Sequence, residues 1–295
     1  MALNTAVFKT RALSALLFVA VMSLGLLWDF RSFFILFSIV HFGCWIEYQK
    51  IIGLIDNGYT QITKFHKYGV MIAGWCVMLY FTNETFTIGD VSLHNIGYWV
   101  GLVYVFVLPV MEILFVRNIN LKNIGYSFLG LLYISLSWAL LVYIRSYGSG
   151  FDIVNKILVL VIIASIWIND TMAYIVGSLI GKTPLTKISP KKTWEGTLGG
   201  IVLAILVMAL VSYFVICYVF KSEFSWDSLL QWTGIAAVAS VTGTFGDILE
   251  SKLKRMANIK DSGRILPGHG GFLDRFDSLL LATPFVWLYI VLFIK

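Results

Sequence analysis

Charged residues are scarce in this sequence: Asp, Glu, Lys and Arg make up 13% of its 295 residues. Soluble globular domains carry about 25%. Hydrophobic residues reach 59%, and the mean hydropathy is +0.85. These values exclude an ordinary soluble globule and indicate an integral membrane protein.

Cysteine is also rare, with 3 residues. Cys44, Cys76 and Cys217 stand apart within or beside apolar segments, which excludes a paired-cysteine motif and favours packing as small hydrophobic side chains. The net charge of +6 is spread over short loops between apolar runs. It therefore indicates membrane topology rather than nucleic-acid binding.

Nine apolar stretches predict an all-α fold, a polytopic membrane bundle of about nine transmembrane helices. The runs are long and do not alternate, which favours helices over a barrel. The first resembles a signal peptide, but no small-x-small cleavage site follows, so we expect it to remain as a span. The stretches are 12–27, 33–48, 68–81, 97–116, 124–145, 157–180, 197–220, 229–249 and 276–294.

The basic residues predict the orientation. With nine spans, the amino end and every second loop share one face. That face carries all 22 Lys and Arg residues except Arg31, Arg145, Lys156, Lys221 and Lys295. Lysine and arginine concentrate on the cytoplasmic side of membranes. We therefore expect a cytoplasmic amino end, an external carboxyl end and cytoplasmic loops at 49–67, 181–196 and 250–275, where any chemistry would lie.

An acidic residue stands within the sixth apolar stretch. Asp170 is costly in lipid, so it favours a functional role. Tyr174, Gly177 and Gly181 follow at helical spacing and share its face, which is suited to lining a cavity. The alternative is a glycine-mediated helix contact, with Asp170 hydrogen-bonded inside the bundle.

The loop after that stretch is rich in lysine and hydroxyl groups. Ser189, Lys191, Lys192 and Thr193 stand just before Trp194 and the seventh stretch. Positive charge, hydroxyl donors and the free N–H groups of a helix start can together bind an anion. The alternative is that the lysines mark topology and contact lipid headgroups.

Residues 251–277 hold the densest group of charges. They include six basic residues, three carboxylates and a glycine turn: Lys252, Lys254, Arg255, Lys260, Arg264, Arg275, Asp261, Asp274, Asp277, Gly268, Gly270 and Gly271. Such glycines permit the positive φ angles and close backbone approach that a phosphate-binding turn before a helix requires. For His269, between the glycines, we favour a role in fixing the turn over that of a catalytic base.

Carboxylates at the ends of the last two stretches predict a metal site. Asp247 closes the eighth stretch and Asp274 opens the ninth, so a helical hairpin would bring them close together. Facing carboxylates repel unless a cation lies between them. A sparse set of oxygen ligands favours Mg²⁺ over zinc. The alternative is pairing of each carboxylate with a neighbouring basic residue such as Lys254.

Residues 251–277 resemble the signature of the phosphatidate cytidylyltransferases, or CDP-diacylglycerol synthases. The likeness runs without departure through Ser251-x-Leu253-Lys254-Arg255, Lys260-Asp261, Gly263, Pro267-x-His269-Gly270-Gly271 and Asp274-Arg275-x-Asp277. The segments 169–174, 189–196 and 246–247 are similar to this family too. The chain therefore divides into variable membrane helices at 1–150, about five spans, and a catalytic membrane region of about four spans at 151–295.

The resemblance implies that CTP and phosphatidic acid react in the bilayer to give CDP-diacylglycerol and pyrophosphate, in phospholipid biosynthesis. It also implies Mg²⁺, with room for a second cation, and a bacterial inner membrane; a homodimer is compatible with it. We expect catalytic roles for Asp247, Asp274, Lys254, Arg255 and His269. Metal ligands are expected at Asp247 and Asp274, with Asp277 and Asp170 less central. Phosphate contacts are expected from Ser189, Lys191, Lys192, Thr193, Ser251, Lys260, Arg264, Gly270, Gly271 and Arg275.

Two other classes stay open. A kinase or transferase that uses CTP on a polyprenol or another lipid alcohol would keep the metal site but need a base to activate the hydroxyl. A transporter with a broken sixth helix around Asp170 would leave the basic glycine-rich loop without a role.

Overall fold

The computed structural model describes residues 5–82, 84, 86–116, 119–146, 152–263 and 270–294, with residues 5–15 and 152 described by their backbone alone. Within these ranges the chain is almost wholly helical, and its strands form one hairpin, Thr87–Ile88 with Val91–Ser92. The helices are α1 Thr5–Leu27, α2 Phe30–Ile55, α3 Lys64–Tyr80, α4 Leu93–Phe115, α5 Leu121–Gly130, α6 Ser137–Ser146, α7 Asp152–Ile180, α8 Trp194–Phe214, α9 Trp226–Met256 and α10 Leu273–Phe293. The all-α prediction is confirmed.

Two π-helical turns complete these helices. Leu131–Leu136 joins α5 to α6, and Val215–Val219 extends α8. Each predicted apolar stretch therefore coincides with one helical segment of the described chain. Six segments are long and apolar enough to cross a membrane: Phe30–Ile55, Leu93–Phe115, Leu121–Ser146, Ile153–Ile180, Trp194–Val219 and Leu273–Phe293. Nine crossings stay a prediction: of the three other segments, α1 is counted only as a shorter apolar helix, Leu16–Leu27, α3 has only 17 residues, and α9 ends in charged turns.

Short polar residues set the helix starts. The N-cap side chains accept hydrogen bonds from backbone N–H groups of the first turn, which otherwise lack partners. At α2, Asp29 accepts from Ser32 N at 2.7 Å, and the Ser32 hydroxyl accepts in return from Asp29 N at 3.1 Å. Similar bonds are formed at other described helix starts by Thr63, Ser92, Asn120, Thr193 and Ser225.

The chain forms two compact units. The first unit comprises Met1–Lys156 and Leu253–Phe276, and the second comprises Ile157–Lys252 and Asp277–Lys295. The sequence predicts a different division, near residue 150, between variable membrane helices and a catalytic region. Because that division concerns function rather than compactness, it stays a prediction.

Aromatic rings fill the core of the first unit. Phe37, Trp45 and Trp138 are fully buried. The ring centroids of Phe37 and Trp138 lie 5.0 Å apart, and Phe276 meets Trp138 edge-on at 5.5 Å. Contacts of this geometry add to the free energy gained by burying the rings. They fix the start of α10 within this unit.

A chain of polar side chains also crosses the first unit. The Tyr59 hydroxyl lies 3.0 Å from Ser127 Oγ, which lies 2.8 Å from His66 Nε2. His66 Nδ1 lies 3.0 Å from Glu112 Oε2. Each buried polar group thereby has a partner, which removes the cost of leaving it unpaired between α3, α4 and α5.

In the second unit, small residues allow the helices to approach closely. Ala236 and Ala239 of α9 and Leu280 of α10 are fully buried, and a Cβ at Gly243 would stand 3.5 Å from Ser278 Cβ of α10. Gly246 lies against this contact, because a Cβ there would stand 3.0 Å from Ser278 Cα. Association of membrane helices depends on such backbone approach, since lipid supplies little hydrophobic driving force. The part of α9 around Gly246 is therefore held close to α10.

Gly97→Ala should lower the thermal midpoint of the protein in detergent. A Cβ at Gly97 would stand 2.7 Å from Cys76 O and closer still to Tyr80 N, so α3 and α4 would have to separate. Overpacking of this kind costs about 1–3 kcal/mol. Gly125→Ala is the matched control, because its Cβ would meet nothing within 4 Å. Equal midpoints for the two variants would contradict the close contact of α3 and α4.

Candidate active site

A cavity of about 530 Å³ opens in the second unit. Its walls come from α7, the loop 181–193, the start of α8 and the middle of α9. Six predicted site residues line it: Asp170, Ser189, Lys191, Lys192, Thr193 and Asp247. The remaining wall includes Asn169, Ala173, Tyr174, Gly177, Ser178, Thr197 and Thr244. Two carboxylates, two lysines and several hydroxyl groups thus face one space.

Helix α7 forms one wall of this cavity. Asp170, Tyr174 and Gly177 all line it, so the predicted polar face is confirmed for these three residues. Asn169, beside Asp170, is 2% exposed and donates from Nδ2 to Thr244 Oγ1 at 3.3 Å. That bond ties α7 to α9 beneath the cavity.

Glycines bring α7 and α8 together next to Asp170. A Cβ at Gly200 would stand 2.7 Å from Asn169 O, and a Cβ at Gly196 would stand 2.7 Å from Ala173 O. A Cβ at Gly181 would stand 2.6 Å from Thr193 Oγ1. The glycine-mediated helix contact considered as an alternative is therefore present as well. It coexists with the cavity.

The lysine-rich loop is folded into a compact hairpin. Leu185 N donates to Lys192 O at 2.7 Å, and Trp194 N donates to Thr183 O at 2.9 Å. The Glu195 carboxylate accepts from Lys182 N and Thr183 N, both at 3.2 Å to Oε2. These bonds fix the backbone on both sides of Lys191 and Lys192. Their ammonium groups are therefore presented to the cavity from an ordered loop.

Asp247 is paired with a cation inside the cavity. Its Oδ2 forms an ion pair with Lys192 Nζ, and its Oδ1 accepts a hydrogen bond from Ser251 Oγ at 3.2 Å. The two charged side chains keep 31% and 27% of their surface exposed. The pair is thus accessible to a ligand that enters the cavity.

The oxygen atoms of this cavity fit a hard cation such as Mg²⁺. Asp170 and Asp247 both line it, and Asn169 Oδ1 is buried without a hydrogen-bond partner among the described residues. Mg²⁺ takes one or two protein carboxylates and completes its shell with water and substrate phosphate. The described ranges contain no group of three or more His, Cys, Asp or Glu side chains that could hold a metal. The predicted set of four carboxylates therefore stays a prediction.

Asp274 lies in the first unit and is surrounded by donors. Its Oδ1 accepts from Lys254 Nζ at 2.6 Å. Its Oδ2 accepts from Ser262 N and Gly271 N, both at 2.8 Å. The pairing with Lys254 is the arrangement that the sequence left as an alternative to metal binding. A role for Asp274 toward a metal stays a prediction.

The glycine turn before α10 binds carboxylates of the protein itself. Gly270 has a φ angle of +82°, as predicted for such a turn. Gly271 N donates to Asp274, while Phe272 N and Leu273 N donate to Glu47 at 2.9 Å each. A role of Gly270 and Gly271 in binding substrate phosphate stays a prediction.

Glu47 is the residue that the sequence reasoning missed. It lies on α2, is 4% exposed, and also accepts from Ser262 Oγ at 2.6 Å. The signal was present, because Glu47 is a carboxylate within an apolar stretch, the same pattern that drew attention to Asp170.

Among the described residues, the other predicted site residues do not line the cavity. Arg255, Lys260 and Arg275 are exposed in the first unit. Asp277, in the second unit, accepts from Ser278 N at 2.7 Å and is not part of the cavity wall. Arg264 and His269 lie outside the described residues.

Comparison with known proteins identifies the family. The model of the cytidylyltransferase family matches residues 9–293. The chain belongs to the cytidylyltransferase family.

Named relatives of this family member extend the likeness. It is similar to a phosphatidate cytidylyltransferase of Bacillus subtilis, at 36% identity over 201 residues, or 66% of this chain and 68% of the relative. The Rickettsia bellii protein of that name is 37% identical over 167 residues, covering 56% of this chain and 69% of its own. The Staphylococcus haemolyticus protein is 34% identical over 194 residues, covering 64% and 70%.

The family match also covers most of the first unit. The resemblance read from motifs is specific only after residue 150, whereas the family match begins at residue 9. Glu47 therefore lies within the matched region of this cytidylyltransferase family member. Both charged groups, around Asp247 and around Asp274, belong to the matched region too.

Thr193→Val should lower the thermal midpoint of this family member in detergent, without substrate. Thr193 caps α8 by accepting from Gly196 N at 3.1 Å, and valine keeps the shape but removes the acceptor. Loss of such a cap costs about 1 kcal/mol. Thr193→Ser retains the oxygen and is the matched control. A valine variant as stable as the serine variant would show that the cap is not formed.

Proposed function

We propose that the protein transfers the cytidylyl group of CTP to the phosphate of phosphatidic acid, which gives CDP-diacylglycerol and pyrophosphate. The cavity carries this proposal, because it places Asp170, Asp247 and two lysines around one space next to membrane helices. The names of its relatives support phosphatidic acid as the acceptor, since each is called a phosphatidate cytidylyltransferase.

In the proposed reaction, an oxygen of the lipid phosphate attacks the α-phosphorus of CTP. A new P–O bond forms there, the bond between the α-phosphorus and the bridging oxygen of the β-phosphate breaks, and pyrophosphate leaves with that electron pair. The attacking oxygen is already anionic, so no strong general base is needed. The main barrier is the repulsion between two polyanions, and catalysis then consists of positioning and neutralising charge.

Lys191 and Lys192 would neutralise the phosphates. Lys192 is held by Asp247 before substrate arrives, so its ammonium group is already in place and need not be ordered during binding. Ser189 and Thr193 contribute hydroxyl groups on the same wall. The start of α8 adds the positive end of a helix dipole, which favours an anion.

Asp170, Asp247 and the amide oxygen of Asn169 would hold Mg²⁺. When bound, Mg²⁺ supplies positive charge to the phosphate oxygens of CTP. The buried and unpartnered Asn169 Oδ1 supports this assignment, because an unpaired buried acceptor is costly unless a ligand satisfies it. Ser251 holds the free oxygen of Asp247 and so orients the carboxylate.

The cavity would open to the cytoplasm of a bacterial inner membrane. CTP is a soluble cytoplasmic nucleotide, and the charge distribution over the loops supports an inner position for loop 181–196. The acyl chains of phosphatidic acid would remain in the inner leaflet while its phosphate reaches the lysines. This arrangement accounts for a nucleotide site built at the ends of membrane helices.

Asp247→Asn should reduce CDP-diacylglycerol formation by a factor of about 100 or more, since one anionic ligand and the partner of Lys192 are lost together. Asp227→Asn, an exposed carboxylate on the same helix, is the matched control. The product is measured by thin-layer chromatography from labelled CTP and phosphatidic acid. Turnover by Asp247→Asn close to that of the control would sink the assignment of this cavity.

Chelation of divalent cations should abolish turnover, and added Mg²⁺ should restore it, because oxygen ligands alone favour Mg²⁺. The same chelator saturated with Mg²⁺ beforehand is the control for unspecific effects. Full turnover after chelation would exclude the proposed metal. A parallel assay with a polyprenol in place of phosphatidic acid separates the proposed reaction from a CTP-dependent lipid kinase, which would use the polyprenol.

A further inference from the structure

Three backbone and side-chain donors converge on Glu47. Oε1 accepts from Phe272 N at 2.9 Å. Oε2 accepts from Leu273 N at 2.9 Å and from Ser262 Oγ at 2.6 Å. Both oxygens of a nearly fully buried carboxylate are thus satisfied by Ser262 and by the first backbone N–H groups of α10, in the same unit.

The surroundings of Glu47 explain how a buried carboxylate is stabilised there. Phe272 and Leu273 lie at the start of α10, where the first N–H groups of a helix lack backbone partners and the helix dipole is positive. A carboxylate satisfies both requirements at once. Glu47 therefore acts as an N-terminal cap for α10 that comes from another helix.

Two glycines make room for this carboxylate. A Cβ added at Gly263 or at Gly271 would collide with the side chain of Glu47. Both positions lie in the segment that resembles the family signature. The structure explains why glycine is needed at both positions: the backbone approaches Glu47 so closely that a larger side chain would not fit.

Ser262 connects Glu47 to Asp274. Its hydroxyl lies 2.6 Å from Glu47 Oε2 and 2.9 Å from Asp274 Oδ2, and its backbone N–H donates to Asp274. One hydroxyl proton serves one carboxylate at a time, so the two acids are coupled through this group. A change at Glu47 must therefore alter the position of Asp274 or the bonds that hold it.

We propose that Glu47 is a positioning residue, which holds Ser262, Phe272 and the start of α10 so that Asp274 keeps its geometry. For turnover this rests on the proposed function and on the catalytic role that the sequence predicts for Asp274. The proposed effect of Glu47 on the geometry of Asp274 does not depend on that function. Glu47 itself touches no substrate, so its loss should lower kcat while leaving the KM for phosphatidic acid unchanged.

Glu47→Gln tests the proposal. The variant keeps the size of the side chain but puts an amide donor where an acceptor is needed. Amide hydrogen exchange in the peptide that contains Phe272 and Leu273 should become about fivefold faster, as the loss of a hydrogen bond of about 1 kcal/mol implies. The kcat should fall by a factor of about 100, the cost of a small misplacement near reacting groups.

Glu112→Gln is the matched control. It also removes a carboxylate from a membrane helix of the first unit, but the partner of Glu112 is His66, whereas the partners of Glu47 are Ser262, Phe272 and Leu273. In this variant, amide hydrogen exchange at Phe272 and Leu273 should be as slow as in the wild type. The kcat should also be unchanged. A Glu47→Gln protein with unchanged exchange, or with the wild-type kcat, would overturn the proposal.

Ser262→Ala provides a second route if Glu47→Gln does not accumulate in the membrane. Alone it should also lower kcat, and a wild-type kcat for Ser262→Ala would overturn the proposal. Where Glu47→Gln does accumulate, the two losses should not multiply in the double variant, because both act through one chain of contacts. Losses that multiply would overturn the proposal. A wild-type protein that forms no CDP-diacylglycerol would refute the proposed function alone, since the exchange measurement needs no substrate.

Discussion

A carboxylate on a membrane helix must have a partner, and the charged parts of this structure are arranged around that requirement. An isolated charge within a bilayer is costly, whereas a charge with hydrogen bonds or a counter-ion is tolerated. Asp247 has Lys192, Asp274 has Lys254, and Glu47 has the amide groups that start α10.

The two lysine–aspartate ion pairs differ in how accessible they are to a ligand. Lys192 and Asp247 line an open cavity, and their side chains are 27% and 31% exposed, which is the access that the proposed binding of phosphate and a cation requires. Lys254 and Asp274 are 15% and 11% exposed, and Asp274 carries further bonds from Ser262 and Gly271. The first pair suits substrate binding. The second suits the maintenance of loop geometry, on which the proposed role of Glu47 depends.

Much of the fold and part of the site follow from periodicity and residue type. Apolar runs locate the helices, and helical spacing from Asp170 predicts a cavity-lining face that the structure bears out at Tyr174 and Gly177. The fold of the lysine-rich loop cannot be predicted from periodicity or residue type. It depends on the bonds of Glu195 to Lys182 N and Thr183 N, which form only when the chain turns back on itself. Glu47 and Ser262 are 215 residues apart in sequence, so no local pattern joins them. A lone carboxylate signals that a partner exists and gives no indication of which residue it is.

The proposed chemistry makes one demand that separates it from other uses of CTP, namely which phosphorus the lipid receives. In vesicles with phosphatidic acid and Mg²⁺, CTP labelled at the α-phosphorus should transfer its label to the lipid, and CTP labelled at the γ-phosphorus should release labelled pyrophosphate in equal amount. Label from the γ-phosphorus in the lipid, with release of CDP, would contradict the account.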